Sequence, residues 1–339
     1  MLALTSLADV AISPRVAVLT ALLGLAPLLA ASASTPGSTA GFAIVAVIIA
    51  AASGLWNDFG VQYGVHVVDV ALVGALSVLV AAVRARREAD LRDSRRIAGV
   101  AQEALLPVLP EQVGTVRIAT RYRSATRSAQ VGGDFFDFVA DGGRLRLLLG
   151  DVSGKGVGAV TEAARVIRAF RQYGASEDEL VAVARRVHDY VTRFWDPERF
   201  ATALFVEFTS AGSVAIVSAG HPAPLLVCAR GVGELPVHHC LPLGVGPADR
   251  VTVHSWNASD RLLLYTDGLI EARSTTGRFL PRASIETALR EGDADACLDQ
   301  LLHRVRTHAG QFDDDLALVL LTNAMDAAGI GTPDATEGP

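Results

Sequence analysis

Three long apolar runs, residues 16–33, 41–56 and 67–83, fill the first quarter of the chain and restrict the environments in which it can fold. Crossing ~30 Å of hydrocarbon takes about 20 helical residues, so each run approaches the length of a spanning helix once flanking residues are counted. Trp56 and Tyr63 stand where aromatic side chains settle at a membrane surface. Directly after the third run comes RARREADLRDSRR, with Arg84, Arg86, Arg87, Arg92, Arg95 and Arg96, whereas the other short loops carry almost no Lys or Arg. Such clusters stay on the cytoplasmic side. The expected arrangement is therefore a transmembrane region over residues 1–83 with three spans, N-terminus outside and the C-terminal part in the cytoplasm: a multi-pass protein of the cell membrane. A cleaved leader ending at Ala31-Ser32-Ala33 is the competing reading, but it would leave two spans and put the arginines outside. Asp69 lies near the end of its run, an interface position.

Charge and cysteine content exclude other classes. With 30 Lys and Arg against 36 Asp and Glu, the net charge is -6, which gives no nucleic-acid footprint; the arginines read as a membrane-surface collar. Cys228, Cys240 and Cys297 are odd in number and far apart, which suits a reduced compartment and neither a disulfide framework nor a zinc cluster.

Residues 84–110 read as a cytoplasmic linker helix. Leu91, Ile97, Val100, Ala101, Ala104 and Leu105 form a broken apolar stripe that either pairs two copies into a homodimer or belongs to a solvated stalk, and Pro107 and Pro110 end the helix. Residues 111–322 form the expected soluble domain. Short apolar runs there predict strands over 116–121, 135–139, 145–149, 203–208, 214–217, 225–227, 261–265 and 316–321. Helical periodicity predicts helices over 159–173, 177–193 and 293–307. Strands in runs with helices inserted between them argue an α+β class with mostly antiparallel sheet. The tail, 323–339, is small, polar and Pro/Gly-bearing, the composition of a disordered segment.

Four acidic positions share one local design, a carboxylate at a strand end beside glycine or another acid. They are Asp134 in GGDFFD, Asp151 in LLLGDVSGKG, Asp267 in LLLYTDGLIEA, and the run Asp313-Asp314-Asp315 in FDDDLALVL. One such residue is usually a turn former or helix cap. Four converge if their strands pack together, and converging anions do not all stay ionised in a dry site without cations. Oxygen-only ligation favours hard divalent ions such as Mg²⁺ or Mn²⁺. The glycines allow close approach of backbone or water where a Cβ would intrude.

Rival motifs fail on detail. Phe135 replaces the acid of a GGDEF cyclase, and Gly156 follows Lys155 where a Walker loop needs Ser or Thr. GDVSGKGVGA fits GxGxxA, but the next segment reads as another helix rather than a strand with an acidic end. No cysteine has the Cys-x5-Arg spacing of cysteine phosphatases.

GGDFFD, GDVSGKG, FATALF, SAGHPAPLL, LPLG, YTDGLIEAR and DDLALVLL occur in this order between about residues 105 and 321. Together they resemble the sporulation stage II E type of protein phosphatase, the bacterial branch of the metal-dependent type 2C (PPM) Ser/Thr phosphatases. The resemblance implies an α-β-β-α sandwich, here preceded by the all-α transmembrane region, with two divalent cations, Mn²⁺ or Mg²⁺, at one edge of the sheets. It matches Asp134 to the first acidic ligand, Asp151 to the carboxylate bridging both metals, the Val152 backbone carbonyl to a further ligand, and Asp267 and Asp314 to the second metal. Asp314 and Asp315 are hard to separate within the triple acid; the family pattern favours the first member of the pair before LALV. Ala317 stands where many members carry Thr, a position that is not a ligand.

Supporting roles attach to Gly133, which admits ions and water, and to Asp137, which either supports Asp134 through water or serves as a cap. Lys155 either attracts phosphate or is a solvated loop charge, and His221 is either an acid near the leaving group or a turn residue. The implied activity is hydrolysis of phosphoserine or phosphothreonine on a protein, such as an anti-sigma-factor antagonist of the STAS type, by a water activated between two metals. The reading from another class is a catalytically silent membrane scaffold that keeps the fold for partner binding.

Overall fold

The structure is a computed structural model and describes residues 23–52, 61–124, 132–209, 212–290, 292–310 and 314–324. It divides into two compact units, Met1–Asp93 and Ser94–Pro339.

The first unit holds α1 (Leu25–Ala33), α2 (Pro36–Ala52) and most of α3 (Val61–Leu105). Most of its buried side chains are small and many of its large apolar ones are exposed, the reverse of a soluble core, with Leu23 and Val70 as buried exceptions. Ala31, Thr39, Ala43, Ala46, Ala50 and Ser77 are buried, whereas Leu28, Leu29, Ile44, Ile48, Leu72, Leu76 and Leu79 are exposed. Small residues let helices approach: a Cβ on Gly74 would come 3.0 Å from that of Ala43. The buried hydroxyls are satisfied within their own helices, Ser77 Oγ donating to Val73 O (2.7 Å) and Thr39 Oγ1 to Thr35 O (3.0 Å). The Arg84 guanidinium donates to the carbonyls of Ser32 and Ser34, just where α1 ends.

Among the described residues one helix, Gly64–Leu105, is long and apolar enough to cross a membrane, and Pro36–Ala52 is a shorter apolar helix. Residues 16–22 of the first expected span and 53–56 of the second lie outside the described residues, as does the tail from 325 onward. The third expected span and the expected linker are not separate elements. They are the single helix α3, because no proline interrupts residues 61–105 and the Arg- and Ala-rich segment favours helix as strongly as the apolar one. Of the expected linker stripe, Leu91, Ile97 and Val100 are exposed, and the buried positions on this part of the helix are Ala98 and Gln102.

The second unit is built from two antiparallel sheets. One has the order β1 (Gln112–Val113), β2 (Val116–Arg123), β12 (Leu316–Asn323), β11 (Arg261–Tyr265), β7 (Leu225–Cys228), β8 (Gly231–Glu234). The other has the order β10 (Thr252–Ser255), β6 (Ser213–Ala219), β5 (Ala201–Thr209), β4 (Arg144–Val152), β3 (Asp134–Asp141), with β9 (His239–Cys240) added parallel to β6. The predicted strands all form, extended by one to three residues at an end in most cases. The short strands β1, β8, β9 and β10 were not predicted, since two to four residues carry too little periodicity.

Alternation along the strands generates three apolar layers. Phe136, Leu147, Leu149, Leu204 and Val206 of the second sheet meet Ile118, Leu262, Leu264, Val319 and Leu321 of the first between the sheets. On the outer face of the second sheet, Phe135, Leu148 and Phe205 pack against α4 (Val157–Ser176) and α5 (Leu180–Val191). Leu263, Leu318 and Leu320 of the first sheet pack against α6 (Arg282–Arg290) and α7 (Ala294–Ala309). The unit is thus an α-β-β-α sandwich, as expected; α6 is an addition to the three predicted helices. Asp293 caps α7, its Oδ1 accepting from Ala296 N at 2.8 Å.

A buried ion pair ties the second sheet to its helices. Arg146, 3% exposed, bonds Glu207 on the neighbouring strand and donates to the carbonyls of Gly174, Glu177 and Asp178 at the end of α4. Glu207→Ala leaves that guanidinium without its counter-charge, so chemical denaturation should show a loss of about 3 kcal/mol.

Candidate metal centre

Strand register assembles the acidic edge. β3 and β4 pair so that Asp134 lies opposite Asp151, and β4 and β5 pair so that Asp151 lies opposite Thr202. The two-residue period puts Asp134 on the face of Phe136, toward the other sheet, and puts Asp137 on the face of Phe135, toward α4. Asp267 comes from the first sheet, at the start of a single 3-10 turn (Asp267–Leu269) directly after β11. Thr266 locks that turn to the second sheet. Its amide donates to Ala317 O (3.1 Å), its Oγ1 accepts from Ala317 N (2.9 Å), and the same hydroxyl donates to Asp134 Oδ2 (2.7 Å). Ligand oxygens of Asp134, Asp151 and Asp267 then lie within 4.8 Å of one another.

Three carboxylates at that spacing repel. Burial, followed by the charge of Asp151, pushes the Asp134 carboxyl well above the usual range, against the Thr266 hydrogen bond. Burial, then Asp267 and Asp314, raises Asp151 to about 8. Asp267 is raised by burial and by Asp314, with Lys155 acting the other way. Divalent cations supply the charge this cluster lacks, and its all-oxygen donors suit Mg²⁺ or Mn²⁺. The residues present fit such ions.

Two glycines make the approach possible. A Cβ on Gly133 would sit 2.7 Å from Asp151 Oδ1 and 2.8 Å from Val152 N, and nearer still to Val152 O. A Cβ on Gly268 would collide with the carbonyl oxygen of Asp315, so the glycine of YTDG lets the acidic run reach the turn that carries Asp267. The expected role of Gly133 as a gap for ions and water takes a more specific form here, because protein backbone fills the space.

The remaining expected site residues separate. Asp314 is outside the three-carboxylate group; its Oδ1 pairs with Lys155 Nζ at 3.1 Å, and both side chains are partly exposed. Asp315 is buried and its carboxylate is saturated with donors: Tyr122 OH (2.5 Å), Gln102 Nε2 (3.1 Å), Gly132 N (3.1 Å) and Ser124 Oγ (3.3 Å). That leaves Asp314 the member of the pair with its carboxylate toward the cluster and solvent. Asp137 pairs with Arg171 Nε at 2.6 Å on the helical side, and by strand alternation does not face Asp134.

His221 is 2% exposed. Its Nε2 lies 3.0 Å from Tyr265 O, which can only accept, so Nε2 carries the proton and Nδ1 accepts from Thr202 Oγ1 at 3.0 Å. Burial lowers its pKa to about 4. A neutral ring with both nitrogens engaged is not a proton donor to solvent.

Sequence reasoning missed Thr266, Gln102 and Tyr122. Thr266 had a signal, since it sits inside YTDG between a strand end and a carboxylate. Gln102 had none: it is 3% exposed and donates to both Asp134 O (3.2 Å) and Asp315 Oδ2, contacts that only tertiary packing creates. No local pattern singles out Tyr122.

The family model described as Stage II sporulation protein E (SpoIIE) matches residues 141–323, more than half of the sequence. The chain belongs to the SpoIIE family. In this SpoIIE-family chain the match begins after Asp134, so the first carboxylate enters through its pairing with Asp151. The crystal structure of the RsbU and RsbW domains of Rv1364c from Mycobacterium tuberculosis is 29% identical, with a TM-score of 0.55 and 62% of each chain covered. The SiaA-PP2C domain of Pseudomonas aeruginosa shares the fold at 18% identity and a TM-score of 0.57, covering 70% of this chain and 98% of that one. Protein IcfG of Synechocystis sp. is 27% identical over 190 residues, 47% of this chain and 30% of that protein. The chain thus spans less than two thirds of the Rv1364c structure and under a third of IcfG.

Proposed function

We propose that the chain is a membrane-anchored protein Ser/Thr phosphatase. The reading rests on one observation: Asp134, Asp151 and Asp267, brought from two sheets within 4.8 Å, form an anionic cluster that needs cations to stay ionised. Asp134, Asp151, Asp267 and Asp314, with the Val152 carbonyl, would hold two divalent ions. When bound, such ions lower the pKa of a water and polarise a phosphoryl group. The protein's own part is positional. Asp134 is oriented by Thr266, the Lys155–Asp314 pair places a cation beside the acidic edge, and the two sheets supply carboxylates on opposite sides of the opening. No side-chain nucleophile is required, so no phosphoenzyme should accumulate.

The first unit supports membrane anchoring, because large apolar side chains face outward and small ones pack inward. In this reading residues 1–83 are the membrane region with three spans, residues 84–110 link it to the phosphatase domain over 111–322, and 323–339 are a tail. The arginine cluster from Arg84 onward supports a cytoplasmic position for the catalytic part. Exposed Ile97 and Val100 suit a homodimer through the linker part of α3. The likeness to an RsbU–RsbW protein supports a phosphorylated anti-sigma-factor antagonist of the STAS type as the substrate.

The test is hydrolysis of a generic phosphate ester and of a phosphorylated STAS protein by the purified full-length chain, with Mn²⁺ against EDTA and Asp267→Asn as control. Turnover with Mn²⁺ that is lost in EDTA and in the variant is the expected result. Mn²⁺ binding without turnover on either substrate would leave the silent scaffold.

A further inference from the structure

His221 stands between the two sheets at the metal edge. From β5 it receives the hydroxyl of Thr202, the residue opposite Asp151, and to β11 it donates at Tyr265 O, two residues before Asp267. Its own carbonyl accepts from the buried Ser218 Oγ at 2.9 Å, which holds the turn after β6 against rotation. Thr266, next to Tyr265, bonds Asp134. One continuous set of hydrogen bonds therefore runs from Thr202 beside Asp151, through the imidazole, to the segment that carries Asp267 and orients Asp134.

Apolar packing between sheets is non-directional and fixes spacing only loosely, at ~10 Å. The mutual repulsion of three carboxylates acts to widen the gap at this edge. A flat ring bonded at 3.0 Å on both sides sets a definite separation there. We propose that His221 is a positioning residue that fixes the distance between the Asp151-bearing and Asp267-bearing sheets, and through it the affinity of the site for its divalent ions. This deepens the phosphatase reading and rests on its metal site, yet it is tested without turnover.

The experiment is calorimetric titration of the full-length protein with Mn²⁺, alongside thermal unfolding in EDTA, for wild type, Thr202→Val, His221→Gln and the double variant. Thr202→Val keeps shape and strand preference while removing the hydroxyl, so it stays folded even where a histidine variant does not. Mn²⁺ affinity should fall about tenfold in Thr202→Val and at least as far in His221→Gln, in the range that orienting residues command. In the double variant the two losses should be less than additive, because the glutamine offers the Thr202 hydroxyl only a flexible amide oxygen in place of the fixed Nδ1. Unchanged Mn²⁺ affinity in the folded variants overturns the proposal, whatever happens to thermal stability. If the wild type binds no Mn²⁺, the metal site itself falls and this inference with it; wild-type binding with unaffected variants removes the inference alone.

Discussion

Asp151→Asn is expected to abolish Mn²⁺-dependent hydrolysis and, in EDTA, to make the protein more stable than the wild type. The two effects have one origin. Asp151 lies opposite Asp134 and close to Asp267, and the burial and charge that raise its pKa to about 8 also raise the free energy of the ionised native state. Removing the charge relieves that repulsion. Each pKa unit corresponds to about 1.4 kcal/mol, and about 2–4 °C of melting temperature accompanies each kcal/mol in a domain of this size. In the proposed function the same substitution removes an oxygen that both ions would share, so turnover should fall by more than about 100-fold, beyond the usual cost of losing an orienting partner.

The pH dependence has a definite sign. A carboxyl with a folded pKa near 8 and an unfolded one of 3.8 holds a proton in the native state that the unfolded chain has released. The contribution of Asp151 to metal-free stability is therefore greatest below the unfolded value and declines as pH rises through the window to about 8. Mn²⁺ needs the deprotonated ligands, so its stabilisation should grow across that same window. Melting curves in EDTA and in Mn²⁺ at pH 5 and pH 8 check this directly. A metal-free protein that grows more stable toward pH 8, or an Asp151→Asn variant still stabilised by Mn²⁺ like the wild type, would contradict the assignment.

Gly133→Ala should be nearly as damaging although it removes none of the proposed ligand groups. The added Cβ would lie 2.7 Å from Asp151 Oδ1 and closer to the Val152 carbonyl, and the latter is backbone that cannot rotate away. β3 must move away from β4 where Asp134 meets Asp151. A shift of about 1 Å at a reacting centre can cost 100-fold, and overpacking costs about 1–3 kcal/mol of stability. Gly142→Ala, at a turn position with open space around it but φ +54°, is the control that perturbs backbone alone. The expected outcome is loss of Mn²⁺ affinity in Gly133→Ala and not in Gly142→Ala, read by titration calorimetry.

Much of the sandwich was legible in sequence because its strands alternate strictly: Phe135 and Phe136 must face opposite layers wherever β3 packs. The acidic edge was legible as residue types at strand ends, and Asp134, Asp151 and Asp267 do come together. Asp137 was not placed, since its role follows from which face of β3 meets α4 and Arg171. Nor was the choice within the acidic run, because only the packing of Tyr122, Gln102 and Gly132 around Asp315 distinguishes it from its neighbour. The inward face of the linker was not legible for a related reason. Periodicity marks a face as apolar but not which face finds a partner, and Gln102 was drawn inside by two acceptors distant in sequence.

By itself the sequence determined the order of strands and helices, the class of chemistry available to an all-carboxylate edge, and the apolar character of the first quarter; all of these follow from local period and residue type. Tertiary structure decided the rest: that Thr266 orients Asp134, that His221 joins the two sheets with both ring nitrogens, and that Asp315 is enclosed while Asp314 pairs with Lys155. Each of these is a hydrogen bond or ion pair between residues far apart in the chain. Whether such a contact forms depends on strand register and sheet separation, and no local pattern encodes either.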